Sequence, residues 1–115
     1  MSSVPEQPTV VDKPWGREVR YAHTDRYAGK VLEVNRGHLL SLQKHNVKHE
    51  TLYLYAGSIR LTLGDRVMQW EPGTAIAIAP GTIHRFEALE DSILLEVSTP
   101  ELDDVVRLED RYGRS

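Results

Sequence analysis

Four residues stand at offsets that could hold a metal ion. Gln43 and His45 are separated by one residue, Glu50 follows after four more, and His84 lies two residues beyond a Pro80-Gly81 pair. If the segment around residue 43 is a strand, residues i and i+2 point to the same face, so an amide oxygen and an imidazole nitrogen share one space. Glu50 then arrives from the next strand after a turn at residues 46–48, and His84 enters from a strand distant in sequence. Two nitrogens and two oxygens suit one divalent ion of borderline softness, Zn²⁺, Mn²⁺, Fe²⁺, Co²⁺ or Ni²⁺, with positions left open to water or substrate. Cysteine is absent, which excludes thiolate ligands, cysteine nucleophiles and disulfides.

The same parity sorts the neighbours. With Glu50 inward, His49 faces out together with Tyr53 and Tyr55, whereas Leu52 and Leu54 line the interior beside the ion. By this parity the inward set near the ion offers mostly ligands and leucines. His23 and His38 read as surface residues, and Trp15 and Trp70 as core.

Strands must position these groups. Between residues 17 and 97 no apolar pattern at helical spacing lasts beyond a turn or two, while short runs rich in Val, Ile, Leu, Tyr and Thr recur between turn residues. The expected strands cover residues 18–22, 30–35, 39–45, 50–56, 58–63, 66–71, 75–79, 84–88 and 92–97. Gly64-Asp65 suits a tight hairpin, and Pro72-Gly73 and Pro80-Gly81 mark further turns. The pattern predicts an all-β sandwich or jelly-roll barrel. Its 115 residues make one domain: residues 1–11, with Pro5 and Pro8, read as a flexible N-terminal arm and residues 12–115 as the domain. The tail from Pro100 is acidic, then basic, with Val105, Val106 and Leu108 able to dock it back on the barrel.

Charge narrows the partners. Fourteen basic against 17 acidic side chains, a net charge of −3, argue against a nucleic-acid binder, and an anionic substrate would need a local basic cluster. The longest apolar run, residues 75–79, falls far short of the roughly 18 residues of a membrane span, and the start lacks the pattern of a signal peptide. A cytoplasmic protein without membrane contact is expected, and edge strands with outward tyrosines point to a homodimer.

Counted as a whole, the stretch reads Gly37, five residues, Gln43, one, His45, four, Glu50, six, Gly57; then Gly73, five residues, Ala79, Pro80, Gly81, two, His84. This resembles the paired signatures of the cupin superfamily, G-x5-H-x-H-x(3,4)-E-x6-G and G-x5-P-x-G-x2-H-x3-N. Gln43 replaces the first His, Ala79 stands where the Pro belongs, and Ala88 replaces the final Asn. The resemblance implies a cupin-type jelly-roll barrel, the double-stranded β-helix, with its short C-terminal tail packed back on the barrel.

A narrower likeness rests on Lys13-Pro14-Trp15-Gly16, on Leu40-Ser41-Leu42-Gln43-Lys44-His45, and on Val106-Arg107-Leu108-Glu109-Asp110-Arg111-Tyr112-Gly113-Arg114. These resemble three blocks of the type II mannose-6-phosphate isomerase domain, usually fused behind a mannose-1-phosphate guanylyltransferase and here expected to stand alone. That family carries Gln at the position of Gln43. The resemblance implies an aldose–ketose isomerase that interconverts mannose 6-phosphate and fructose 6-phosphate through an enediol, with one divalent metal ion and a phosphorylated sugar as substrate. One block departs: the family commonly reads Q-x-H-H-H-R-x-E-H-W, whereas Asn46, Val47, Thr51 and Leu52 stand at the histidine and tryptophan positions here. Arg111 and Arg114 could bind phosphate or steady the enediolate as catalytic groups, or form a salt-bridged tail with Glu109 and Asp110; Lys13 has the same two readings. The rival functions are another small-molecule cupin enzyme (oxygenase, lyase or epimerase) and a non-catalytic sugar- or metal-binding cupin.

Overall fold

Alternation of apolar and polar side chains builds the strands. In Glu50–Ala56, residues Glu50, Leu52 and Leu54 are buried while Tyr53 and Tyr55 are exposed; in Ser92–Ser98, Ser92, Leu94, Glu96 and Ser98 are buried. A computed structural model describes residues 4–114. Its strands are β1 (Thr9–Lys13), β2 (Gly16–His23), β3 (Ala28–Val34), β4 (Leu42–Lys44), β5 (Glu50–Ala56), β6 (Ile59–Leu63), β7 (Arg66–Trp70), β8 (Ala75–Ile78), β9 (His84–Ala88), β10 (Ser92–Ser98) and β11 (Val106–Glu109).

They form a six-stranded sheet, β1-β2-β3-β10-β5-β8, and a five-stranded sheet, β11-β4-β9-β6-β7, with every pairing antiparallel. Inward residues of both meet in one core that includes Leu32, Leu52, Leu54, Ile59, Leu61, Phe86 and Leu94, with Trp15 and Trp70 buried as expected. Each large apolar side chain fully buried here stabilises the barrel by about 1.5–3 kcal/mol. No helix among the described residues is long and apolar enough to cross a membrane.

The hairpin between β6 and β7 pairs Leu63 with Arg66 across two residues, of which only Gly64 takes a positive φ, 63°. Glycine in the first of two turn positions matches the twist of the flanking strands. Three expectations shift. Pairing starts at Thr9, opposite Arg20, inside the stretch expected as an arm, of which residues 1–3 lie outside the described residues. The strand expected over residues 39–45 pairs regularly only at Leu42–Lys44, because the Leu40 carbonyl accepts from the Arg85 guanidinium (3.0 Å), which interrupts the ladder after the Leu39–Glu87 bridge. The tail does dock, as β11 against β4, but alternation turns Leu108 outward, 49% exposed, while Val105 and Val106 are half-buried.

Candidate metal centre

Three strand ends bring the ligand candidates together. His45 follows β4, Glu50 opens β5 and His84 opens β9, where Gln43 pairs directly opposite His84. The Pro80-Gly81 turn places β9: Gly81 takes a φ of 84°, and its amide donates to the His45 carbonyl at 2.7 Å, tying the turn before one histidine to the backbone of the other. His45, Glu50 and His84 are all buried, His84 completely. Their ligand atoms lie within 4.8 Å of one another, with Glu50 Oε1 3.3 Å from the Nε2 of each imidazole.

Hydrogen bonding sets the imidazoles. His45 Nδ1 lies 2.6 Å from the Asp104 carbonyl oxygen and His84 Nδ1 2.9 Å from that of Thr82. A carbonyl only accepts, so in each ring Nδ1 carries the proton and a neutral ring turns the lone pair of Nε2 inward. Both Nε2 atoms are buried without a hydrogen-bond partner. Two lone pairs facing one carboxylate oxygen call for a cation between them, and backbone acceptors on the far ring nitrogens are the usual support of histidine ligands. The donor set fits a divalent ion of the borderline class. Gln43 lines the same cavity, and its Oε1 accepts from Ser41 Oγ at 2.8 Å, which leaves that oxygen a second lone pair.

The inward set is more polar than strand parity suggested. Lys48, whose backbone lies in the turn after His45, turns its ammonium inside, 2.9 Å from Glu50 Oε2 and 3.0 Å from Glu96 Oε2. Lys30 continues the series, 3.8 Å from Glu96 and 3.2 Å from Glu18, which Arg20 also meets at 3.1 Å. Burial alone would push the Glu50 carboxyl up; the Lys48 ammonium against its other oxygen opposes this, and the carboxyl stays well below the usual carboxylate range. Glu96 goes the other way, raised by burial and then by the neighbouring Glu50 charge, against Lys30 and Lys48. For Lys48, the charges of Glu96 and Glu50 overcome burial and keep its pKa raised. The signal for this series was in the sequence: Lys30 shares the parity of Leu32 and Val34, and Glu96 that of Leu94.

These groups line a cavity of about 290 Å³ in which six cationic side chains face four carboxylates, most of them joined in ion pairs. Lys13 and Arg114 are among its lining residues. Burial pushes the Lys13 ammonium down despite Glu18. Arg114 grips Asp110 through two bonds, Nε to Oδ2 at 2.8 Å and Nη2 to Oδ1 at 3.2 Å. Arg111 is not in the lining: it is exposed and donates to the Gly37 carbonyl at 2.8 Å. His49 is exposed, as are Tyr53 and Tyr55. His23 is exposed on the Pro100 carbonyl, whereas His38 is half-buried against the Tyr112 hydroxyl.

Comparison with known proteins adds the relationship. The family model described as mannose-6-phosphate isomerase C-terminal matches residues 3–110. The mannose-1-phosphate guanylyltransferase ManC of Salmonella typhimurium (strain LT2) is 37% identical over 109 residues, 90% of this chain and 23% of that protein. The xanthan biosynthesis protein XanB of Xanthomonas campestris pv. campestris (strain B100) is 33% identical over 113 residues, 91% and 24% respectively. The chain thus spans about a quarter of the length of these curated relatives. Among solved structures, KdgF from Halomonas sp. superposes with a TM-score of 0.75 at 24% identity, covering 84% of this chain and 91% of that one. An RmlC-like cupin from Shewanella frigidimarina NCIMB 400 gives 0.76 at 14% identity, covering 89% and 92%. At these identities the likeness establishes the fold, a cupin double-stranded β-helix. With that barrel and a family match over nearly its whole length, the chain belongs to the mannose-6-phosphate isomerase C-terminal family.

Proposed function

We propose that this domain is a metal-dependent aldose–ketose isomerase acting on a phosphorylated sugar, of the mannose 6-phosphate/fructose 6-phosphate type. The observation that carries it is the convergence of two inward imidazole nitrogens on Glu50 Oε1, at the wall of a cavity that His45 and Glu50 line together with Lys13 and Arg114. His45, Glu50 and His84, with Gln43 beside them, would hold one divalent ion. When bound, that ion supplies positive charge that polarises the sugar's carbonyl and hydroxyl oxygens. Lys13 and Arg114 bind the phosphate by charge-assisted hydrogen bonds and set the sugar's orientation. The buried walls limit water around the reacting carbons.

Elemental analysis of the purified chain, followed by a coupled assay on mannose 6-phosphate, tests this. About one equivalent of metal and fructose 6-phosphate formation are expected; metal without turnover of any sugar phosphate would defeat the isomerase reading and favour a binding cupin. The active form is a cytoplasmic homodimer joined through the outer face of the six-stranded sheet. Register aligns Val10, Val19, Val31, Leu95, Tyr53 and Ala75 across its six strands, an apolar row at least partly open to solvent. Light scattering measures the mass directly.

A further inference from the structure

The two oxygens of Glu50 have different company. Oε1 faces both imidazoles at 3.3 Å, while Oε2 is taken by the Lys48 ammonium at 2.9 Å. Lys48 is itself held from two further sides: Glu96 Oε2 lies 3.0 Å from its Nζ, and its backbone amide donates to Asp104 Oδ2 at 2.9 Å. Lys48, Glu50 and Glu96 are each 3% exposed. Burying an ammonium between two carboxylates is a poor source of stability, since apolar groups of the same volume cost less desolvation. What the arrangement does provide is orientation. An unconstrained carboxylate can offer an ion one oxygen or both, and here one is already occupied.

We propose that Lys48, braced by Glu96, is a positioning residue that reserves Glu50 Oε2 and so makes Oε1 the single oxygen Glu50 offers to a metal ion. The inference rests on the metal-binding reading above and deepens it: the ion keeps more of its surroundings free for water and substrate oxygens than it would with both oxygens of Glu50 engaged. Lys48 sits one residue short of the outward His49 and two before Glu50, so the turn that delivers Glu50 also delivers the group that orients it.

The test uses the full chain, stripped with a chelator and reloaded with Co²⁺ alone, whose visible absorption responds to the number and arrangement of its ligands. Three variants are compared with the wild type: Lys48→Arg, Glu96→Gln, and the double substitution Lys48→Met with Glu96→Gln, which removes one cation and one anion together. The double variant is expected to bind Co²⁺ about tenfold more weakly and with an altered spectrum, because both Glu50 oxygens become available. Lys48→Arg should retain the wild-type spectrum. Glu96→Gln, which keeps Lys48 but loosens it, should show the same spectral change to a smaller degree and carries the test if the double variant does not fold. An unchanged spectrum in a folded variant, even with weaker binding, would reduce Lys48 to a structural role and overturn the proposal while leaving the metal reading standing. A wild-type chain that takes up no Co²⁺ would overturn both.

Discussion

His45 Nδ1 lies 2.6 Å from the backbone carbonyl oxygen of Asp104, a residue 59 positions further along the chain. The Asp104 carboxylate meanwhile accepts the amides of Asn46, Val47 and Lys48 at 3.1, 2.7 and 2.9 Å, and these bonds hold its pKa below the usual range. One tail residue therefore fixes both the ring orientation of a ligand candidate and the loop that follows it.

Replacing Asp104 by Ala should free that loop while leaving the barrel core intact. Metal affinity is expected to fall about tenfold or more, as when other outer supports of ligands are lost, with a modest drop in melting temperature. Isothermal titration with Zn²⁺ alongside a thermal melt separates the two effects. Wild-type affinity in the variant would mean that the loop holds itself.

The ligand set can be probed from both ends. His84→Ala removes the candidate furthest along the chain, and bound metal should become substoichiometric while far-UV circular dichroism stays that of the wild type, because the leucine-rich core does not depend on the ion. Gln43→His should do the opposite and slow metal loss to a chelator, since imidazole is a better donor than a neutral amide to such ions. If the site is tuned for isomerisation, that tighter hold lowers kcat.

Arg114 and Arg111 separate phosphate recognition from tail structure. Arg114→Ala is expected to raise KM for a phosphorylated sugar while leaving any weak turnover of the free sugar nearly unchanged; Arg111→Ala, on an exposed carbonyl contact, should alter neither. Steady-state kinetics on the paired substrates reads this directly, and equal losses on both sugars would make Arg114 a structural residue.

Acid should loosen the same tail. Arg114 holds the Asp110 carboxyl down to about 2, below its unfolded value near 3.9. A depressed folded pKa contributes stability that is fully present above the unfolded value and disappears as pH falls through the folded one. Asp110→Asn should therefore lower the melting temperature at pH 7 and cost progressively less between about pH 4 and pH 2. Melting curves of metal-free protein across that range provide the check.

The candidate site was legible in the sequence because a strand has a period of two: the spacing from Gln43 to His45, and the turn before Glu50, left little choice of face, and β5 and β9 occupy the residues expected. Charged members of the inner face were missed for the opposite reason. Lys30 and Glu96 share the parity of inward leucines, but a charged side chain alone gives no reason for burial, and the cross-strand register that pairs them supplies each with a buried partner. The outer strand β1 was missed for want of a local signal, and β11 was read only as a docking tail; Val10 and Val11 beside Asp12 and Lys13 become a strand only through the β2 hydrogen bonds. Arg111 and Arg114 look alike in the chain, and the turn between them is what sends one into the cavity and the other onto Gly37.

The position of β11 has one further consequence. Without it, β4 would be the open edge of its sheet, a short strand with unpaired amides and carbonyls beside the cavity. Bare edges of this kind recruit strands from other molecules. The tail is thus also a guard against self-association, and a chain shortened before Val106 should become sticky at the strand that carries Gln43. Clumping of such a truncated protein would be a property of its exposed edge and not of the cavity beside it.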